Sequence, residues 1–303
     1  MILGILTEGL IYGIMALAVF ITFRVLDFAD MTTDGSFPLG AAVMAVLLTA
    51  GVNPFISMFA AFLAGAAAGS VTAIIHAKLK VPGLLAGILT MTMLHSVILR
   101  VMSSRANLSL LRVQTLFKEI TDFAARYNLE TYGVLIFLIL FAAVIIVVLT
   151  LFFHTDFGIT LGALGSNQQL IISQGMNPEI IKLTGICLAN GLVGVSGALS
   201  CMYQGFADVH SGTGTVVAGL ATVMIGEFLI RSNRISVQLI RVILGSIVYR
   251  GIMYAGRQYG YLINLTANDL KLITGVLIII CLIVSQYGHR LLSKKRNSSN
   301  AEN

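Results

Sequence analysis

Residues 158–177 read GITLGALGSNQQLIISQGMN, and how this stretch is taken decides how the whole chain is parsed. Leu161, Leu164, Ile171 and Ile172 recur at roughly helical spacing, while Ser166, Asn167, Gln168, Gln169, Ser173 and Gln174 make the stretch too polar to cross lipid. It predicts one amphipathic, glycine-punctuated helix lying on a membrane surface, with a long apolar half of the chain on either side. A plain interhelical loop with a short amphipathic turn fits the same residues, so the flanking sequence has to decide between the two.

Of the 303 residues, 57% are hydrophobic and 11% charged, and the mean hydropathy is +0.93. That composition is too apolar for a water-soluble domain. Runs of about 20 apolar residues recur along the length, and the alternation of a membrane barrel strand is missing. The expected fold class is therefore an all-α polytopic membrane protein. The net charge of +6 does not point to nucleic acid, because the basic residues sit at span ends and in the tail from Arg290 to Arg296, where positive-inside topology accounts for them. The first apolar run starts at Met1 without a basic leader or a small-residue cleavage site and reads as a retained helix. Cys187, Cys201 and Cys281 fall inside apolar runs without metal-ligand spacing and read as packing residues.

About nine crossings are expected, near 2–23, 38–50, 55–77, 82–102, 132–153, 180–203, 215–230, 237–255 and 270–287. They divide the chain into a first transmembrane repeat (1–102), an external amphipathic excursion (103–130), a linking helix (131–153), a cytoplasmic segment (154–179), a second repeat (180–289) and a basic cytoplasmic tail (290–303). The second run is too short to span unaided, so it is either a half-helix or is completed by the polar residues before it. With the tail and residues 158–177 inside, Arg24, Lys78, Lys80, Arg231 and Arg234 also fall inside, as the charge rule requires; the basic residues of 103–130 fall outside.

The two halves echo each other. Phe28-Ala29-Asp30 recurs as Phe206-Ala207-Asp208, each at the same distance after a Leu-x-x-Gly (Leu10 to Gly13, Leu188 to Gly191) and each before a small-residue span. One extra crossing between the copies inverts the second. Inverted repeats with interrupted helices meeting near the midplane are a transporter architecture. On this reading Asp30 faces the cytoplasm and Asp208 the outside.

The pattern Gly165-x-Asn167 followed by Gly175-Met176-Asn177 resembles the coupling segment of ABC importer permeases in the branched-chain amino acid and ribose permease superfamily. The likeness extends over most of the chain: the glycine-rich first span, the lysines before Pro82-Gly83, and Leu89-Thr90. Within it, DFADMTTDGSFPLGAAV (27–43) is most similar to permease subunits paired with tryptophan/tyrosine-type substrate-binding lipoproteins. The resemblance implies a type II importer-like fold and a homodimer. It also implies two separate ATPase subunits carrying ATP and magnesium, an extracytoplasmic substrate-binding lipoprotein, and ATPase coupling through Gly165, Asn167, Gly175, Met176 and Asn177. No Walker A, HExxH or GxSxG pattern occurs in the chain itself, which needs no cofactor of its own on this reading. Glycines 165 and 175 are expected either to adopt positive φ or to let the backbone approach a partner closely.

Candidate pathway residues are the polar run Thr32, Thr33, Asp34 and Ser36, its counterpart from His210 to Thr213, and Thr90 and Asp208. The two runs are expected at opposite ends of a central cavity. His95, beside Thr90 and Thr92, either lines a pathway or bonds across helices. Glu227 reads as an interfacial ion partner of Arg231 and Arg234. A different class of function stays open: Asp27-x-x-Asp30-x-x-x-Asp34 has the spacing of membrane prenyltransferases, whose carboxylates hold magnesium against a diphosphate. That chemistry needs a second facing cluster, for which Asp208 is the one comparable position, and helix capping explains Asp34 equally well.

Overall fold

The computed structural model describes residues 2–126 and 128–259, together with 272, 275, 276 and 279. The expected ninth crossing and the basic tail lie outside these residues.

The first helix, α1 (Ile2–Val19), continues into a six-residue π-helical segment, Phe20–Val25, and then into an extended link. It is followed by α2 (Thr33–Thr49), α3 (Pro54–Leu79) and α4 (Gly83–Val101). A short strand, β1 (Asn107–Ser109), and an amphipathic helix, α5 (Leu116–Ala125), precede α6 (Glu130–His154). Two surface helices, α7 (Asp156–Ser166) and α8 (Gln168–Ser173), lead into α9 (Pro178–Gln204), β2 (Phe206–Asp208), α10 (Thr215–Leu229) and α11 (Ile235–Tyr259). Six of the described helices are long and apolar enough to cross a membrane, and α2 and α10 are shorter apolar helices. The chain is a polytopic helical membrane protein.

Local chemistry sets the helix ends. Asn53 and Asn177 cap α3 and α9 through their side-chain oxygens, and a proline follows each cap where its missing N–H costs nothing. Gly205 ends α9 in the left-handed conformation. The second helix begins at Thr33, five residues before the expected start, with Pro38 inside its second turn. That proline leaves the Asp34 carbonyl without its helical donor, and Gly212 lies against this carbonyl so closely that a Cβ would overlap it. Residues 158–177 are not one helix. They break at Asn167, whose side chain caps α8 by accepting from the backbone N–H of Gln169 and Leu170.

Helix packing has the exchange that two related copies require. α1 packs on α10 and α11 as α9 packs on α2 and α3, while α1 and α9 meet each other. Small residues set these distances: Gly40 meets Gly194, Gly65 meets the Asn190 carbonyl, and Gly245 meets the Thr222 carbonyl, all too close for a Cβ. α9 is the most buried of the long helices and α6 the most exposed, which puts α9 at the centre and α6 toward lipid.

The repeated Phe-Ala-Asp triplets take different roles. Phe206–Asp208 forms the strand that pairs antiparallel with Asn107–Ser109, whereas Phe28 to Asp30 lie in the extended link. The two three-residue strands depart from an all-helical expectation and fasten the 103–130 excursion to the end of α9. Residues 158–177 sit at the opposite end of the bundle, with Gly165 against Val25 and with Leu161 and Leu26 against Gly185. Arg24, Lys78, Lys80 and Lys182 share that end.

Candidate functional site

The two short helices meet start to start in the middle of the bundle. Asp34, in the first turn of α2, turns its carboxylate onto the N-terminus of α10. It accepts from Gly214 N (3.0 Å), Thr215 Oγ1 (2.8 Å) and Val216 N (2.9 Å). A carboxylate at a helix N-terminus satisfies free N–H groups and meets the positive end of the helix dipole. Asp34 is therefore a cap, and the helix it caps is not its own.

Behind this junction lies a closed polar network. Asp30 is fully buried. Its Oδ2 accepts from Asn190 Nδ2 (2.6 Å) and its Oδ1 from the Thr32 N–H (2.8 Å). Asn190 in turn accepts from Ser36 Oγ (2.7 Å), and the Thr32 and Thr72 hydroxyls lie 2.6 Å apart. These groups tie the link after α1 to α2, α3 and α9. Asp30 is not exposed as expected: hydrogen bonding to the buried Asn190 of α9 holds it inside.

In front of the junction, Asp34, Thr92, His95, His210 and Thr213 line an open cavity of about 260 Å³, with Met91, Pro38 and Ile98 as its apolar walls. The His95 and His210 rings lie 5.5 Å apart. The two polar runs thus converge on one cavity, contrary to the expectation of opposite ends, because the loop before α10 folds back onto the start of α2. Of the expected pathway residues, Asp34, His210 and Thr213 reach it. Thr32, Thr33, Ser36 and Thr90 are buried in packing, and the Thr90 hydroxyl donates to the Ala86 carbonyl of its own helix. Asp208 is half-buried beside the cavity, accepting from the His210 N–H and from Asn107 Nδ2.

Two ionic clusters were not foreseen with these partners. At the basic end, Glu227 Oε1 bridges Arg24 Nε (2.8 Å) and Arg241 NH2 (3.2 Å), joining α10 to α11 and to the end of the first span. Arg231 and Arg234, its expected partners, make no such pair. In the bundle, Arg250 pairs with Glu8 (3.3 Å) and lies 3.4 Å over the Tyr12 ring, so its charge faces protein. Helical sequence distance favoured the nearby arginines for Glu227, and only packing brings residues 24, 227 and 241 together.

At the surface, Gly175 has φ +77° with open space around it, and Gly165 lies against the Val25 carbonyl. The close approach at Gly165 is thus to the chain's own backbone. Ile171 is buried while Leu170, Ile172 and Met176 are exposed. Asn177 caps α9, so the coupling candidates divide into caps (Asn167, Asn177), one turn (Gly175), one packing glycine (Gly165) and exposed apolar side chains.

The prenyltransferase arrangement is not met. Asp30 is sealed behind Asn190, Asp34 is engaged with α10, and Asp208 lies with β1. No group of three His, Cys, Asp or Glu side chains among the described residues converges to hold a metal.

Comparison with known proteins gives one consistent answer. A family model described as branched-chain amino acid transport system, permease component, matches residues 1–282. The chain is 38% identical over 279 residues to the tyrosine transport system permease protein of Clostridioides difficile, covering 92% of this chain and 89% of the relative. It is 31% identical to an uncharacterized protein of Rickettsia prowazekii over 91% of this chain and 95% of that one. It is 26% identical to the ribose import permease protein of Escherichia coli over 65% of this chain and 60% of that protein. No solved structure matches the chain with statistical significance.

Proposed function

Because this chain belongs to the permease family of branched-chain amino acid transport systems, we propose that it is the membrane subunit of an ATP-driven importer for a small solute, an aromatic amino acid of the tryptophan/tyrosine type, with tyrosine first among the candidates. The observation that carries the pathway is the cavity beside the start-to-start junction of α2 and α10, where Asp34, His95, His210 and Thr213 converge. Freed backbone and polar groups at membrane depth are tolerated where they line a solvated cavity. Thr92, His95 and Ser96 form an exposed polar stripe on α4. A stripe of that kind is costly against lipid, so a second copy of the chain faces it across a shared pathway.

Two ATPase subunits, holding ATP and magnesium, dock on α8, and an external lipoprotein delivers solute at the opposite end. Movement of α8 and α7 passes through Gly165 to the backbone at Val25 and Leu26. From there the 26–32 link leads to Asp30 and to the Asp34 junction, which switches the side to which the cavity opens. On this reading residues 1–102 and 180–289 are the moving repeats, and 154–179 is the input.

The test is reconstitution of the complete complex in vesicles with its ATPase and binding protein. ATP-dependent accumulation of labelled tyrosine, exceeding that of leucine or ribose, is the expected result. Solute movement without the ATPase, or no uptake of any of the three, overturns the reading.

A further inference from the structure

A second cavity, of about 370 Å³, lies at the basic end of the bundle between the end of α3 and the start of α9, and His76, Lys80, Val81, Gln168, Glu179 and Lys182 line it. His76 Nδ1 is 2.7 Å from the Val81 carbonyl, which only accepts, so this nitrogen carries the hydrogen. Nε2 is then left to accept from the Lys182 ammonium at 3.3 Å. That hydrogen bond and a position 5.9 Å from the Phe28 ring centre hold Lys182 in place without neutralising it. Among the described residues, no carboxylate forms an ion pair with Lys182, Lys80 or Lys78. Glu179 is the one acid on the wall, against two lysines.

Lys80 sits at the C-cap of α3 with φ +54°, a conformation that glycine adopts more cheaply, and lines the cavity. The start of α9 adds the positive end of its dipole. Leu79 (68% exposed) and Ile180 (59% exposed) stand beside the cavity, so an anion held here has apolar surface next to it.

We propose that this cavity binds the phosphate group of an anionic phospholipid from the cytoplasmic leaflet, with Lys182 and Lys80 as the phosphate ligands and the acyl chains lying along the exposed apolar residues. Basic pockets between helices on the cytoplasmic side suit such headgroups. Gln168, the first residue of α8, shares the cavity wall, so an occupied site holds the coupling segment against α3 and α9. The site stands on its own geometry and not on the transported solute.

The experiment measures lipid binding to the purified full-length chain by native mass spectrometry, using phosphatidylglycerol, phosphatidylcholine and inorganic phosphate as probes. Phosphatidylglycerol is expected to bind in preference to phosphatidylcholine. Each of K80Q and K182Q weakens it by about fivefold and the double variant by about 25-fold. K182R, which keeps the charge, retains most of the binding and controls for folding. Equal binding of both lipids, or phosphatidylglycerol binding unaltered in the double variant, overturns the proposal. Inorganic phosphate binding as well as the lipid identifies a free-anion site instead and also overturns it.

Discussion

The Asp34 carboxylate accepts three hydrogen bonds from the start of α10, so truncating it strands two backbone N–H groups and a hydroxyl at membrane depth. Asp34→Ala is expected to cost about 1–3 kcal/mol, read as a lowered melting temperature of the purified protein, with Asp34→Asn between it and wild type. Asn190→Ala is expected to cost a similar amount, about 1–3 kcal/mol, because it removes a buried partner of both Asp30 and Ser36. If either alanine variant melts with wild type, its network is not a stabilising one. The glycines at 165 and 175 separate two uses of the same residue. Gly165→Ala meets the Val25 carbonyl and is expected to cost about 1–3 kcal/mol by overpacking. Gly175→Ala meets nothing and is expected to cost about 1 kcal/mol through its left-handed backbone. A larger melting loss at 175 than at 165 would contradict this ordering. Gly165 and Gly175 were both legible as special from sequence, but the residue that Gly165 touches was not, since nothing local points to Val25.

At the scale of elements, the short helices α2 and α10 each start inside the bundle, and the links before them, 26–32 and 205–214, carry the polar groups that the helix starts require. The sequence showed that the second span was short and its preceding run polar. It could not show that α2 begins at Thr33, because Pro38 and Gly35 argue locally against a helix there. The ends of the bundle give a topology test that avoids buried positions such as Asp30. With the native cysteines replaced, single cysteines at Lys78 and Ser173 are expected to react with an impermeant thiol reagent from the cytoplasmic side, and cysteines at Ser104 and Asn107 from the external side. Labelling of all four from one side would rule out the opposed arrangement of residues 154–179 and the 103–130 excursion.

For the whole molecule, the proposed pathway can be tested at the cavity in front of Asp34. Thr213→Trp adds a large ring to a space of about 260 Å³ and is expected to abolish uptake in the reconstituted complex while the ATPase subunit stays bound. Normal uptake would remove the cavity from the pathway. The sequence by itself determined that the chain is a bundle of membrane helices, which family it resembles and where its polar surface segment lies. Those properties follow from composition, from apolar run length and from motifs that are local in the chain. Only the tertiary structure decided that Asp34 caps α10, that Asp30 is sealed by Asn190, that Glu227 bridges Arg24 and Arg241, and that both polar runs open into one cavity. Each of these joins residues about 160 to 200 positions apart or chooses among several nearby partners of equal charge, and that choice is made by how closely small residues let the helices approach.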